Sequence, residues 1–318
     1  MEIIHSIEKF GLNKKNQPIV LAIGMFDGVH LGHQQVLEAT RQRSSQISGL
    51  AAAFTFPKHP ASYLRPGKEP PLLMDASQKA DKLFDCGIKA VVMREFDRVF
   101  SSVEAEDFVQ FLKDRVPSLH GICVGKNFRF GKDRVGDAEF LKLKSEEIGI
   151  NVEVIDSKVL DKEAISSSRI RVALATGKIE LVNEMLGRPY MIQGIVQPGK
   201  AMGRKIGFPT LNLDWEPQCR PVYGVYAGYL IPQSNAKRLP AVANYGLRPT
   251  VEDQVLIPRL EIHAIEDLDH MDWKAGIFLK MELCHFIRAE KKFDSLDDLK
   301  FQISKDTEQA RELLDKPI

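Results

Sequence analysis

The chain of 318 residues sets 44 Lys and Arg against 43 Asp and Glu, so a net charge of +1 gives no bulk pull toward nucleic acid or an anionic membrane. With 44% hydrophobic and 27% charged residues it has the composition of a globular protein, and its length favours two domains. No apolar run approaches the ~20 residues of a membrane helix. The first ten residues lack a signal-peptide layout, and Cys86, Cys123, Cys219 and Cys284 show neither metal-ligand spacing nor a disulfide framework, so a reducing cytoplasm is expected.

The first ~185 residues alternate strand and helix patterns. Strands are expected at 18–23, 50–56, 89–93, 120–124 and 151–155, mostly short apolar runs suited to a parallel sheet buried on both faces. Helices are expected at 32–46, 77–86, 103–116 and 138–148, the third started by Ser101 and Glu104 in capping-box spacing. Four crossovers of this kind argue for a doubly wound α/β sheet, whose ligands bind beyond the carboxyl ends of the strands.

At such an end stands G-M-F-D-G-V-H-L-G-H, residues 24–33. Gly24 and Gly28 permit close backbone approach, and the helix that opens near residues 31–33 offers free N–H donors and a positive dipole end to phosphate. His30 and His33 add donors where charge builds during phosphoryl transfer. Asp27 either orients a histidine or sets the turn. A metal held by the histidine pair lacks an evident third ligand. The segment I-S-S-S-R-I-R at 165–171 offers three hydroxyls and two guanidinium groups at a helix start. It reads either as a plain cap by Ser166 or Ser167 on a helix over 169–176, or as a phosphate cradle. In V-G-K-N-F-R-F-G, 124–131, Phe128, Arg129 and Phe130 either stack on a planar ligand or belong to the core.

Beyond L-G-R-P-Y, 186–190, strand-like segments follow one another without helices, at 191–196, 210–213, 224–231, 240–244, 259–265 and 277–286. Such a run suggests a small antiparallel barrel, closed by an amphipathic helix from Ser295 to about residue 314 whose apolar stripe is Leu299, Ile303, Ala310, Leu313 and Leu314. In G-K-A-M-G-R-K-I-G-F-P-T-L-N-L, 199–213, Gly199, Gly203 and Gly207 alternate with Lys200, Arg204 and Lys205 as a cationic phosphate-wrapping loop. Thr210 and Asn212 follow at strand spacing as hard oxygen ligands of the type that hold Mg²⁺ with nucleotide phosphates. Glu261, alternating with His263, is either an ordinary surface carboxylate or the base that removes a hydroxyl proton. Loops 61–72 and 199–207 are candidates for movement.

These motifs resemble those of the bacterial bifunctional riboflavin kinase/FAD synthetase family along essentially the whole chain. G-M-F-D-G-V-H-L-G-H is similar to its adenylyltransferase signature, F-T-F-P-K-H-P (54–60) to the next loop, and I-S-S-S-R-I-R to its distal phosphate motif, with Ser168 where threonine is common. L-G-R-P-Y resembles the family's junction, G-R-K-I-G-F-P-T-L-N its flavokinase signature, and F-D-S-L-D-D-L-K-F-Q-I-S-K-D-T-E-Q-A-R its last helix. The resemblance implies a Rossmann-like FMN adenylyltransferase over residues 1–186, and a riboflavin kinase over 187–318 built as a six-stranded antiparallel β-barrel with a terminal helix.

In the first half it implies ATP binding by Gly24, Phe26, Asp27, Gly28, His30, Gly32, His33, Ser167, Ser168 and Arg171, with His30 and His33 catalytic. Flavin would lie against Phe56, His59, Asn127 and Phe128. In the second half it implies ATP binding by Gly203, Arg204, Gly207, Phe208, Pro209, Thr210 and Asn212, with Mg²⁺ on Thr210 and Asn212. Flavin there would meet Asn244, Glu261 and Arg288, with Glu261 the catalytic base. Riboflavin, FMN and ATP are the implied partners, without nucleic acid or membrane, in a monomer or weak homo-oligomer. One stretch departs from the pattern: D-L-D-H-M-D-W-K-A-G (267–276) has Trp273 and Lys274 where the family carries Tyr and Gly. It motivates an alternative in which the barrel binds flavin without kinase activity. A different nucleotidyltransferase of the same fold, making a CDP-alcohol or a coenzyme A precursor, is a third reading, which the barrel signature disfavours.

Overall fold

The computed structural model describes residues 1–199, 203, 206–232, 238–249, 256–266 and 275–315. The chain divides into two compact units, Met1–Arg169 and Ile170–Ile318. The first runs through β1 (Glu2–Ile4), α1 (Ile7–Asn13), β2 (Ile19–Ile23), α2 (Leu31–Gln46), β3 (Leu50–Thr55), α3 (Ala61–Leu64), α4 (Ala76–Asp85), β4 (Ala90–Met93), α5 (Arg98–Ser101) and α6 (Phe108–Arg115). There follow β5 (Leu119–Gly125), a ribbon of β6 (Arg129–Phe130) and β7 (Gly136–Asp137), α7 (Ala138–Glu146), β8 (Asn151–Ile155), and a second ribbon of β9 (Val159–Leu160) and β10 (Glu163–Ala164). Helix α8 (Ser167–Ala175) crosses the division.

Six parallel strands form one sheet in the order β1-β4-β3-β2-β5-β8. Strand β2 is buried throughout and its side chains separate by parity. Ile19, Leu21 and Ile23 join Ile7, Phe10, Phe108 and Leu112 on one face, whereas Val20 and Ala22 join Val36, Leu37, Ala80 and Leu83 on the other. Helices therefore cover both faces, and burial of each large aliphatic side chain contributes about 1.5–3 kcal/mol. From β2 the chain winds one way to β3 and β4, then returns to β5 on the opposite side. The switch point between the carboxyl ends of β2 and β5 is where this architecture places ligands.

Several details differ from the sequence expectation. Strand β1, only three residues long, adds an edge beside β4 that hydropathy alone does not reveal. The helix expected over 103–116 begins at Phe108, and Ser101 ends α5 with its hydroxyl donating to the Arg98 carbonyl at 3.0 Å. Residues 102–107 are held by tertiary contacts instead: the Val103 carbonyl accepts from Lys132 N–H at 2.8 Å, and Gly131 packs so tightly on Ala105 that a Cβ there would collide. The complete capping box belongs to α4, where the Asp75 carboxylate accepts from Gln78 N–H and the Gln78 side chain accepts from Asp75 N–H. Helix α8 starts two residues before the expected 169, with Ser166 as its cap.

The second unit contains α9 (Ile179–Leu186), β11 (Tyr190–Gln197), β12 (Leu211–Asp214), β13 (Gly224–Pro232), β14 (Leu239–Pro249), β15 (Leu256–Ala264), β16 (Phe278–Ala289) and α10 (Leu296–Leu314). The six strands close a barrel in the order β11-β12-β15-β14-β13-β16. Paired residues share a face, and the inward rows are apolar: Tyr226 opposes Ala243, which opposes Ile262, all buried. Helix α9 ends on Gly187 in the left-handed region (φ 69°), and Asn183 ties it to the barrel by donating to the Leu283 carbonyl at 2.8 Å and accepting from Tyr190 N–H at 2.8 Å. Ser295 caps α10, whose Ala310 and Leu314 pack on Val225, Ala227, Val242 and Cys284 of the outer barrel face.

Candidate functional site

In the first unit the turn after β2 is strained. Phe26 and Val29 adopt φ values of 49° and 40°, beside Gly28 at 85°. For an aromatic and a β-branched residue this is an outlier conformation of the type concentrated at ligand-binding sites. Tertiary contacts hold it in place. Gly24 N–H donates to the Phe54 carbonyl at 3.2 Å, and the Thr55 hydroxyl donates to the Met25 carbonyl at 3.0 Å. Asp27, 1% exposed, accepts from Leu73 N–H through its carboxylate at 2.9 Å and from the Ser167 hydroxyl through its carbonyl at 2.9 Å. Its carboxylate thus ties the turn to the chain at Leu73.

His30 is the N-cap of α2: its Nδ1 accepts from His33 N–H at 3.3 Å, so its own proton resides on Nε2. The two imidazoles stack with centroids 3.6 Å apart and 17° between planes, and the Phe26 ring meets His33 edge-on at 5.3 Å. Gly32 leaves space for the His30 ring, which a Cβ there would crowd. Ser166 caps α8 through its hydroxyl, accepting from Arg169 N–H at 3.2 Å, so the plain-cap reading holds for that residue. Ser167 instead binds the Asp27 carbonyl and brings the amino-terminus of α8 beside that of α2. Arg169 is committed to the β9–β10 ribbon, donating to the Leu160 carbonyl at 2.8 Å and pairing with Glu163 at 3.2 Å. Ser168 is exposed in the first turn, and the same helix continues to Arg171.

The residues expected to meet flavin flank this turn. Phe56 follows β3 and His59 accepts Ala61 N–H through Nδ1 at 3.1 Å. Asn127 is exposed after β5 and donates to the Ser157 hydroxyl at 3.3 Å, whereas Phe128 is partly buried. Of the two readings open for Phe130, the core one holds: it is 5% exposed and packs in the first unit's core. A chain of rings links the two loops: Phe56–Phe100 at 5.5 Å, Phe100–Phe108 at 6.1 Å, Phe108–Phe130 at 4.7 Å and Phe130–Phe128 at 5.6 Å. Phe96 packs edge-on against Phe56 at 5.4 Å. Phe96 and Phe100 were not expected from the sequence, because nothing local relates them to the loop they line.

Lys79 is the other omission. It lies fully buried in α4, donating from Nζ to the Phe56 carbonyl at 2.7 Å. Burial pushes its ammonium down to about 8, and the charge of Asp27 opposes that shift. The sequence did carry a signal, since Lys79 shares the core-facing stripe of α4 with Ala80 and Leu83.

In the barrel, one register row collects the expected residues. Gln197 pairs with Asn212, Asn212 with Glu261, Glu261 with Asn244, Asn244 with Val225, and Val225 with Arg288. Cross-strand partners share a face, so Asn212, Glu261 and Asn244 stand side by side on the outer wall, while Leu213, Leu260, Ile262, Ala243 and Tyr245 alternate inward. Thr210 precedes β12 rather than lying within it. Gly203 approaches Thr210 and the Phe208 carbonyl, and Gly199 approaches the Asn212 amide; a Cβ at either glycine would collide. Phe208 N–H donates to the Gly203 carbonyl at 2.8 Å, Gly207 takes φ 90°, and His263 donates from Nδ1 to the Pro209 carbonyl at 2.8 Å. Arg288 forms a double hydrogen bond with Asp306 of α10, Nε to Oδ1 at 3.0 Å and Nη2 to Oδ2 at 2.7 Å. Lys200, Arg204, Lys205, Trp273 and Lys274 lie outside the described residues. Among the described residues no cluster of His, Cys, Asp or Glu forms a metal site, so hydroxyl and amide oxygens beside Glu261 are the available hard donors.

Two family models match, FAD synthetase over residues 12–169 and riboflavin kinase over 186–314. A bifunctional riboflavin kinase/FMN adenylyltransferase of Haemophilus influenzae is 37% identical over 98% of both chains. One of Escherichia coli K12 is 34% identical over the full length of both. A solved structure from Streptococcus pneumoniae, titled a macrolide-efflux protein, superposes with a TM-score of 0.85 at 26% identity over 98% of this chain and 99% of that one. That title shares nothing with either family model, and no helix among the described residues is long and apolar enough to cross a membrane. The two family models and the full-length relatives decide the assignment: the chain belongs to the bacterial bifunctional riboflavin kinase/FAD synthetase family and is a transferase with both activities, making FMN and then FAD.

Proposed function

We propose that the two reactions are divided between the two sites described above, with the functional junction at Leu186–Gly187. The register row Asn212–Glu261–Asn244 supports the kinase half most directly, because it sets a carboxylate between two amides beside the glycine loop. Glu261 takes the proton of the riboflavin 5′-hydroxyl as that oxygen attacks the γ-phosphorus of ATP, breaking the bond to the β-phosphate oxygen and releasing ADP. Thr210 and Asn212 are the oxygens suited to Mg²⁺, which would neutralise phosphate charge when bound. Gly203, Gly207, Phe208 and Pro209 shape the loop over the triphosphate. Asn244 and Arg288 border the flavin, and the bond to Asp306 fixes the Arg288 guanidinium relative to α10.

In the first unit an FMN phosphate oxygen attacks the α-phosphorus of a second ATP and pyrophosphate leaves. Gly24, Gly28 and Gly32 admit the triphosphate to the strained turn that Phe26 and Asp27 shape. His30, protonated at Nε2, and His33 donate to the transferring group, with Ser167, Ser168 and Arg171 on the distal phosphates. Phe56, His59, Asn127 and Phe128 line the flavin at the aromatic layer. Four free thiols suit the reducing cytoplasm to which we assign the enzyme.

Chromatography of products from riboflavin and MgATP tests the division. His30→Ala combined with His33→Ala is expected to stop FAD formation while FMN accumulates. Glu261→Ala is expected to stop FMN formation while supplied FMN is still converted to FAD. Equal loss of both activities in either variant refutes separate sites.

A further inference from the structure

A lysine with no exposed surface is rare, because its charge must be desolvated and a hydrophobic side chain of similar size packs there at lower cost. Lys79 is such a residue. Its short bond goes to the carbonyl of Phe56, in the loop that follows β3, and its charge is attracted by Asp27, in the strained turn that follows β2. Asp27 in turn holds the backbone at Leu73 and the Ser167 hydroxyl. Lys79 and Asp27 thereby connect four segments: the 24–30 turn, the 54–60 loop, the chain leading into α4, and the start of α8. The helix carrying Lys79 is itself fixed by its capping box.

We propose that Lys79 is a positioning residue for adenylyl transfer, its buried ammonium locking the turn of His30 and the loop of Phe56 and His59 into one geometry. The inference rests on assigning adenylyl transfer to this turn. Lys79 acts through the two loops it joins, without touching substrate. The four-carbon stem reaches from the core face of α4 and places three donors between two loops. A rigid link is needed there because Phe26 and Val29 hold left-handed backbone angles that a loosened turn would relax. The distance between the imidazole pair and the flavin-side loop would then vary, and small misplacements of reacting groups carry large kinetic costs.

The test compares Lys79→Met, Lys79→Arg and the charge-balanced double variant Asp27→Asn with Lys79→Met. FMN adenylylation is measured as separate kcat and KM for ATP, riboflavin phosphorylation in the same preparations, and folding by thermal melting. The double variant is expected to melt near the wild type, since no charge is left buried alone. Its adenylylation kcat is nevertheless expected to fall about 100-fold with riboflavin phosphorylation intact, and in Lys79→Met alone KM for ATP is expected to change little. Lys79→Arg, keeping charge and donors, is expected to recover part of the kcat lost in Lys79→Met. A double variant that regains wild-type kcat overturns the proposal, reducing Lys79 to a counter-charge. So does one that fails to fold, which would make Lys79 a requirement of the core, and so does an Arg variant no better than Met. If His30→Ala with His33→Ala abolishes FAD formation while Lys79→Met keeps the wild-type kcat, this inference alone falls. If the histidine pair is dispensable, the site assignment falls first.

Discussion

His30 combines two roles that a single substitution can separate. As the N-cap of α2 its Nδ1 accepts from His33 N–H, and its ring, 5% exposed, stacks on that of His33. Replacement by alanine removes the cap, worth about 1 kcal/mol, and a stacked pair worth about 0.5–1.5 kcal/mol. Replacement by asparagine loses the stack but keeps an acceptor, its Oδ1 taking the place of Nδ1. His30→Asn is therefore expected to be more stable than His30→Ala by about 1 kcal/mol. Both variants lose the Nε2 donor, and each is expected to lower the rate of FAD formation from FMN about 100- to 1000-fold, or roughly 2.7–4 kcal/mol in the barrier. Trp215 and Trp273 both lie beyond residue 169, so tryptophan fluorescence does not report on the first unit. Hydrogen exchange of the α2 amides measures its stability instead, and single-turnover chromatography measures the chemical step. Wild-type FAD formation in His30→Asn refutes the reasoning, because His30 would then act as a cap and nothing more.

Two further outcomes follow from the barrel. Asp306 is 3% exposed and accepts from Arg288 and, at 2.9 Å, from Gln302. Its replacement by alanine strands a half-buried guanidinium and is expected to cost about 2–3 kcal/mol, below the value for a fully buried pair because Arg288 keeps some solvent contact; unchanged protease resistance of α10 refutes this. The Tyr245 hydroxyl is buried without a hydrogen-bond partner among the described residues, and burial pushes it up to about 12. Tyr245→Phe is expected to leave stability unchanged or raise it by about 1 kcal/mol, and a lowered melting temperature of the barrel contradicts that.

The strands of the first unit are legible because burial on both faces leaves continuous apolar runs; the strand expected at 151–155 coincides with β8. The three-residue edge strand and the late start of α6 were not, since each is set by a distant partner: Ala90 to Met93 for one, Gly131 and Lys132 for the other. Lys79 was legible in part, as a charged residue on an apolar helical stripe, but its partners Asp27 and Phe56 lie 52 and 23 positions away.

The chemistry of the sequence and the family pattern point to Thr210, Asn212, Asn244, Glu261 and Arg288 but do not say which strands pair. Side-chain direction alternates along a strand, so a one-residue slip between β12 and β15 would turn Asn212 and Glu261 to opposite faces. The register is held by features unrelated to catalysis: Leu213 against Leu260, Tyr226 against Ala243 and Ala243 against Ile262, all buried in the barrel interior. Apolar packing thus fixes the parity that brings two amides and a carboxylate together on the outer wall. Substitutions among the inward residues therefore bear on the kinase site without touching it, through the alignment of strands rather than the loss of a contact.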